Sequence, residues 1–382
     1  MSTLRRGLLL AALAACSTRA PGAGLIGTPA GLATGPPEAD PVRRGRPMQF
    51  PRDHGAHLGS RIEWWYATGW LQAQGLPQRL GFQVTFFRSA TGLATDLPGR
   101  LAPRHLLFAH AALSDPARGR HRHADRIARW SGQPLPELRA RAATQDADIV
   151  LAGWSFLRRD AAGGSLYETR VQSGDFGLQL ALQTTQPVLL QGDAGFSRKG
   201  PQEQQASHYV TEPQLQARGE VQLDGQRLPV QGRAWFDHEW SDELLHPQAV
   251  GWDWIGMNLD DGRALTAFQL RRADGSTLWA GGSLRGPGET TARSFAPDEL
   301  RMVPGRRWRS PGSNAEYPVQ WTVHTPAGRF DVISLMDAQE LDGRGSTGTV
   351  YWEGLSELRD AQQRVVGHGY LEMTGYAGQL RL

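Results

Sequence analysis

From residue 48 onward the chain alternates. Apolar and polar residues exchange at every second position over short runs that end in Gly, Asp or Asn, the period of antiparallel strands and not of helices. The clearest stretch is Asp253-Trp254-Ile255-Gly256-Met257-Asn258-Leu259, followed by Asp260-Asp261-Gly262, the run 264–270, Asp274-Gly275 and the run 277–280. Asp-Gly between β-type runs tolerates positive φ in a tight turn, so these residues predict a three-strand meander. Asp224-Gly225 predicts a further hairpin between 219–223 and 227–230, leading into Ala234-Trp235-Phe236. Runs 62–71 and 80–88 flank Gln74-Gly75, and 350–358 with 366–376 form a last long pair. Helical periodicity is confined to single turns expected at 133–142 and 297–302. The Arg- and His-rich section 98–141 alternates weakly and reads as long surface connections. Repeated up-and-down strands with few helices predict an all-β sandwich or closed barrel, because an open sheet leaves unpaired edges. A division near 230–236 gives two domains, 48–233 and 234–382, each of a size for one barrel.

The N-terminus carries a different signal. Arg5 and Arg6 precede the apolar run 8–15, which ends in Leu13-Ala14-Ala15-Cys16. A charged start, a short apolar segment and small residues before a cut site predict a secretory signal peptide over 1–16. Its cysteine stands where a bacterial lipobox lipidates the thiol. Cys16 is also the only cysteine in the chain, so export and lipidation account for it better than a disulfide. Gly, Pro, Ala and Thr dominate 17–47, which reads as a flexible tether. The expected location is the cell envelope, lipid-anchored, on the periplasmic side of the outer membrane in a Gram-negative host. Membrane contact is expected through that anchor alone, since no apolar run after it is long enough to span a bilayer.

Composition changes the picture little. Apolar residues make up 40% of 382, enough for a sizeable core, and the net charge of +3 gives no field for gathering nucleic acid. The 41 basic residues include one lysine, Lys199, which reads as a compositional bias without functional weight.

Five segments in order carry a family resemblance: Glu63-Trp64-Trp65-Tyr66, the run Phe108-Ala109-His110-Ala111-Ala112-Leu113-Ser114-Asp115, Phe236-Asp237-His238-Glu239-Trp240, Gly251-Trp252-Asp253-Trp254 and Gly369-Tyr370-Leu371-Glu372-Met373-Thr374-Gly375-Tyr376. Together they resemble the AttH/CrtC family over most of 48–378. The resemblance implies two lipocalin-like antiparallel β-barrel domains and an apolar ligand, isoprenoid or lipid-like. It implies either a non-catalytic exported component working with an ABC transport system or a carotenoid 1,2-hydratase-like enzyme adding water to a C=C bond. His238 and Trp240 match the His-x-Trp implicated in the hydratases' activity. The Tyr-x-Asp of those enzymes has no counterpart, because the comparable strand reads Thr266-Ala267-Phe268-Gln269.

Alkene hydration needs a proton donor in a dry pocket and a surface tolerant of a cation, so buried carboxyls and indole faces are the residue types to look for. The candidate catalytic set is His238, Trp240, Asp237 and Asp253. On a strand His238 and Trp240 share one face, and Asp237 and Glu239 the other. The candidate ligand-binding set is Trp64, Trp65, Tyr66, Trp235, Trp252, Trp254, Glu353 and Glu372. Glu63, amid aromatics, reads as a structural acid paired with Arg61 or Arg88. No metal or cofactor is expected. His105, His110, His121 and His123 read as solvated surface, and no His-Glu-x-x-His occurs. The Gly343-Arg344-Gly345-Ser346-Thr347-Gly348 match to a dinucleotide motif lies between two strands and reads as a β-turn.

Overall fold

The computed structural model describes residues 41–380 apart from 94–98, 100, 134–138 and 244. Cys16, the signal peptide and most of the tether lie outside the described residues. Residues 41–47, expected in the tether, are tied to the body: Arg44 pairs with Asp193 and Glu203, and Arg46 bonds Asp53 at 3.0 Å.

The described chain is almost entirely antiparallel β, and its only helix among those residues is the single 3-10 turn Arg52–His54. The 13-stranded first sheet begins with the meander Ile62–Ala73, Leu80–Ala90, His105–Asp115 and Arg120–Trp130. Across Ile62–Ala73 it continues through Gln226–Ser241, Ala206–Leu223 and Phe176–Gln183 to the edge at Ala140–Ala142. Its two edges approach one another, so the sheet curls into a nearly closed barrel. The 10-stranded second sheet is centred on Gly251–Leu259, Val365–Met373 and Thr349–Arg359.

The predicted hairpins are present. Leu223 pairs with Gln226 across Asp224-Gly225, whose φ values of 50° and 78° are the two positive angles of a type I′ turn. Gly343-x-Gly is a turn between two strands, as expected.

Three expectations are corrected. His105–Asp115 and Arg120–Trp130 are regular paired strands within the section read as surface connections. The second lies at a sheet edge, where charged side chains keep the backbone from pairing with another chain and so erase the alternation. The helical expectations are corrected where they can be read: Ala140–Ala142 is a strand while 134–138 lie outside the described residues, and 297–299 form a single hydrogen-bonded turn that passes into the strand Arg301–Pro304. The division at 230–236 falls inside the unbroken strand Gln226–Ser241, and the change of sheet comes between Ser241 and Gly251.

Three large apolar clusters follow from this arrangement. One fills the first sheet around Phe82, Phe156, Tyr167 and Phe236, and one fills the second around Trp321 and Trp352. The third lies between the sheets, around Tyr66, Trp235, Trp254, Phe268 and Tyr370. Strands at this junction are buried on both faces. Their alternate residues therefore enter two different interiors, and that decides where the candidate chemistry sits.

Candidate functional site: an acid-lined cavity between the sheets

A cavity of about 290 Å³ opens within the intersheet cluster. The first sheet contributes residues of five strands, Trp64 and Tyr66, then Phe87, then Phe108 and His110, then Tyr209, then Asp237 and Glu239. From the second come Trp252 and Trp254, Phe268, Tyr351 with Glu353, and Glu372. Rings form most of the wall: Phe87 stacks on Phe108 at 4.8 Å between centroids, and Tyr66 meets Trp254 edge-on at 5.5 Å. Gly256 makes room for that indole, since a Cβ there would stand 2.4 Å from the Trp254 ring.

Four carboxyls face this apolar space. Tyr209 donates to Asp237 at 2.8 Å and Thr211 donates to it at 2.6 Å. Burial outweighs these bonds and pushes the Asp237 pKa up to about 7. Glu239 accepts a hydrogen bond from Ser207 and pairs with Lys199 at 2.9 Å. The Lys199 ammonium also lies 4.5 Å from the Tyr209 ring centre and 4.4 Å from that of Phe268. Glu353 and Glu372 are direct partners in the register of Thr349–Arg359 and Val365–Met373. Burial, joined by the negative charges of Glu239 and Asp237, raises the Glu372 pKa to about 8. Burial and then Glu372 raise that of Glu353 well above the ordinary range. On another wall His110 bonds Tyr351 Oη at 2.7 Å and Ser346 Oγ at 2.8 Å, and burial lowers its pKa to about 4.

His238 and Trp240 lie outside this cavity. They share a face, as expected, but it is the one turned into the first barrel. His238 Nε2 reaches Glu63 at 2.9 Å and its Nδ1 reaches the Asp53 carbonyl at 3.0 Å, while Trp65 stacks on its ring at 4.8 Å. His57 joins Glu63 at 2.7 Å and Asp53 at 3.1 Å and stacks on Trp240 at 3.6 Å. Arg88 bonds Glu63 at 2.9 Å, so of the two arginines expected beside Glu63 it is the partner. Burial alone would raise the Glu63 pKa, but His238, His57 and Arg88 hold it well below the ordinary range. His57, Glu63 and His238 bring possible ligand atoms within 4.8 Å of one another. Those atoms already bond each other, and the Arg88 guanidinium occupies the second carboxylate oxygen, so the group fits a structural knot and not a cation site.

The other candidates divide by the same parity. Trp64, Tyr66, Trp252, Trp254, Glu353 and Glu372 line the cavity. Trp65 faces the first barrel, and its indole donates to the His54 carbonyl at 2.8 Å. Trp235 backs the cavity, edge-on to Trp254 at 6.2 Å. Asp253 faces away, paired with Arg271 at 2.8 Å and bonded to Gln269 and Tyr376, each at 2.9 Å. The histidine expectation is also corrected: His105 and His110 are buried and His121 is half-buried. Lys199, Tyr209 and Phe268 are cavity residues that the sequence did not single out.

This arrangement belongs to a recognised class. Residues 41–376 match the AttH-like family model, and the chain is a member of the AttH-like family. A crystal structure from Nitrosomonas europaea, provisionally assigned as an AttH, is 46% identical with a TM-score of 0.79, over 88% of this chain and 99% of that one. Kievitone hydratase from Nectria haematococca matches at TM-score 0.65 and 13% identity, over 90% of this chain and 98% of its own. CghA, solved with Sch210972, matches at 0.52 and 13%, over 90% of this chain and 96% of its own. The last two share the all-β, lipocalin-like fold. No curated protein matches the chain.

Proposed function

We propose that this AttH-like protein binds an apolar, isoprenoid or lipid-like molecule in the intersheet cavity. The observation that carries the reading is the cavity itself, walled by Trp64, Tyr66, Phe87, Trp252, Trp254 and Phe268. Apolar walls with a few convergent polar groups are the usual character of a small-molecule site. The Cys16 lipobox supports export and a lipid anchor, from which the body would hold or hand over its ligand beside an ABC-type transporter. The test is native mass spectrometry with lipid extraction on protein purified from its own host. A stoichiometric apolar adduct is expected, and protein of bare mass that takes up no added isoprenoid overturns the reading.

A second reading, water addition to an isoprenoid C=C bond, is favoured by the placement of Asp237, Glu353 and Glu372 in the cavity, where burial pushes the pKa of Asp237 up to about 7, that of Glu372 up to about 8 and that of Glu353 well above the ordinary range. A carboxyl O–H would break as a new C–H bond forms, leaving a cation before the Trp64 and Trp254 faces. Water would then form the C–O bond and return its proton to the carboxylate. This assigns the acid role to the cavity carboxyls instead of His238, Trp240 or Asp253. Label from heavy-oxygen water entering the ligand supports it, and a ligand recovered unlabelled speaks for a carrier.

A further inference from the structure

Two polar groups in the cavity, the Glu353 carboxyl and the Tyr66 hydroxyl, lack the close partners their burial calls for. Glu353 is 2% exposed and Tyr66 6%. The Glu353 Oε1 atom and the Tyr66 hydroxyl are both buried with no hydrogen bond of normal length to any described residue, and they face one another at longer range. Glu372, across the strand pair from Glu353, is met by the Trp252 indole but forms no ion pair among those residues, and no described arginine or lysine answers either acid. Two facing carboxyls in a dry site do not both ionise, so at neutral pH at least one carries an O–H. That O–H and the Tyr66 O–H are donors at the wall of a space lined by Trp64, Phe87, Trp252, Trp254 and Phe268. Buried donors left unmet are costly, and an incoming oxygen relieves that cost.

Charge narrows the choice of oxygen. Asp237, Glu239, Glu353 and Glu372 face the cavity, and the one lysine or arginine among its described lining residues, Lys199, is held by Glu239. A carboxylate or phosphate entering here meets like charge without a free counterion.

We infer that Glu353, Glu372 and Tyr66 form a recognition site for a hydroxyl or carbonyl oxygen on an otherwise hydrocarbon, uncharged ligand. The ligand class is therefore a neutral oxygenated terpenoid or lipid alcohol or ketone, bound by its oxygen at the acid pair and by its chain against the indoles. This rests on the cavity reading above and adds the polar end of the ligand to it.

The test uses three matched probes of one carbon skeleton: farnesol, farnesene and farnesoic acid. Each is titrated against tryptophan fluorescence of the full-length protein near neutral pH. Farnesol is expected to bind about tenfold more tightly than farnesene, the gain of one hydrogen bond to a buried donor. Ionised farnesoic acid is expected to bind more weakly than farnesol. Glu353→Leu should abolish the preference for farnesol while leaving farnesene binding in place, and Glu353→Gln, which keeps a donor, should retain part of it. Equal affinity for farnesol and farnesene in the wild type overturns the inference and leaves the cavity reading standing, whether or not Glu353→Leu folds. A preference that survives Glu353→Leu also overturns it. Failure of all three probes to bind overturns the cavity reading and this inference together.

Discussion

Asp237 and His238, neighbours on one strand, open onto two different interiors: Asp237 onto the intersheet cavity and His238 onto the Glu63–Arg88 knot of the first barrel. The residue that matches the hydratases' His-x-Trp thus bonds within the barrel, and the residue beside it meets the intersheet cavity. Any test of function has to separate these two faces.

The knot gives the first prediction. Arg88→Ala leaves Glu63 buried without its guanidinium partner, which should cost about 3–5 kcal/mol of stability. Loss of His238 removes one of several bonds to the same carboxylate, and His238→Ala should cost less, about 1–3 kcal/mol. Thermal unfolding of both variants checks the order.

The acid pair gives a pH signature. The Glu372 pKa is raised from 4.5 to about 8 and that of Asp237 from 3.8 to about 7, so the folded state binds more protons than the unfolded state between those limits. Stability therefore falls as pH rises through the window. The groups facing the pair are Asp237, Glu239 with Lys199, and the phenols of Tyr66, Tyr351 and Tyr370. Melting temperature should fall by several degrees from about pH 5 to about pH 8, and Glu372→Gln should flatten the curve. A melting temperature that rises over this range contradicts the assignment.

Lys199 offers a site-selective chemical probe because it is the only lysine. Its ammonium is held between Glu239 and two rings at 4.4 and 4.5 Å. Amine-reactive reagents should modify it slowly in the free protein and more slowly still with farnesol bound, as read by peptide mass spectrometry. Lys199→Arg should destabilise by about 1–3 kcal/mol, because the broader guanidinium overpacks the slot.

Gly256→Ala tests the shape of the wall. The added methyl would stand 2.4 Å from the Trp254 ring and 3.0 Å from Trp235, so the Trp254 indole must move. Weakened farnesol binding with a shifted tryptophan emission is expected, and unchanged values for both contradict the placement of Trp254.

How much of this was legible in the sequence depends on how many faces of a strand are buried. Asp-Gly turns set local register without reference to anything else, so the hairpins at 224–225, 260–262 and 274–275 could be read. The pairing of Glu63 with Arg88 was also legible as one of two choices, and the register places them directly opposite. Alternation separated Asp237 and Glu239 from His238 and Trp240, but it could not say which face met the cavity. On a strand with both faces buried, apolar and polar residues no longer report inside and outside. Arg120–Trp130 was missed for the opposite reason: as an edge strand it carries charge along its length. Lys199 gave no signal at all, because its role comes from Glu239 and Phe268, on strands distant in sequence.

The central claim is that the intersheet cavity, and not the His238 side of the strand, receives the ligand. The most direct measurement is farnesol affinity in Trp254→Ala and His238→Ala, both confirmed folded. Loss of the cavity indole should weaken binding by about tenfold or more, the scale of burying an aromatic wall. Loss of His238 should leave the affinity of the folded protein within about twofold, given that its ring does not line the space. Binding that survives Trp254→Ala and disappears in His238→Ala would contradict the account and return the site to the first barrel.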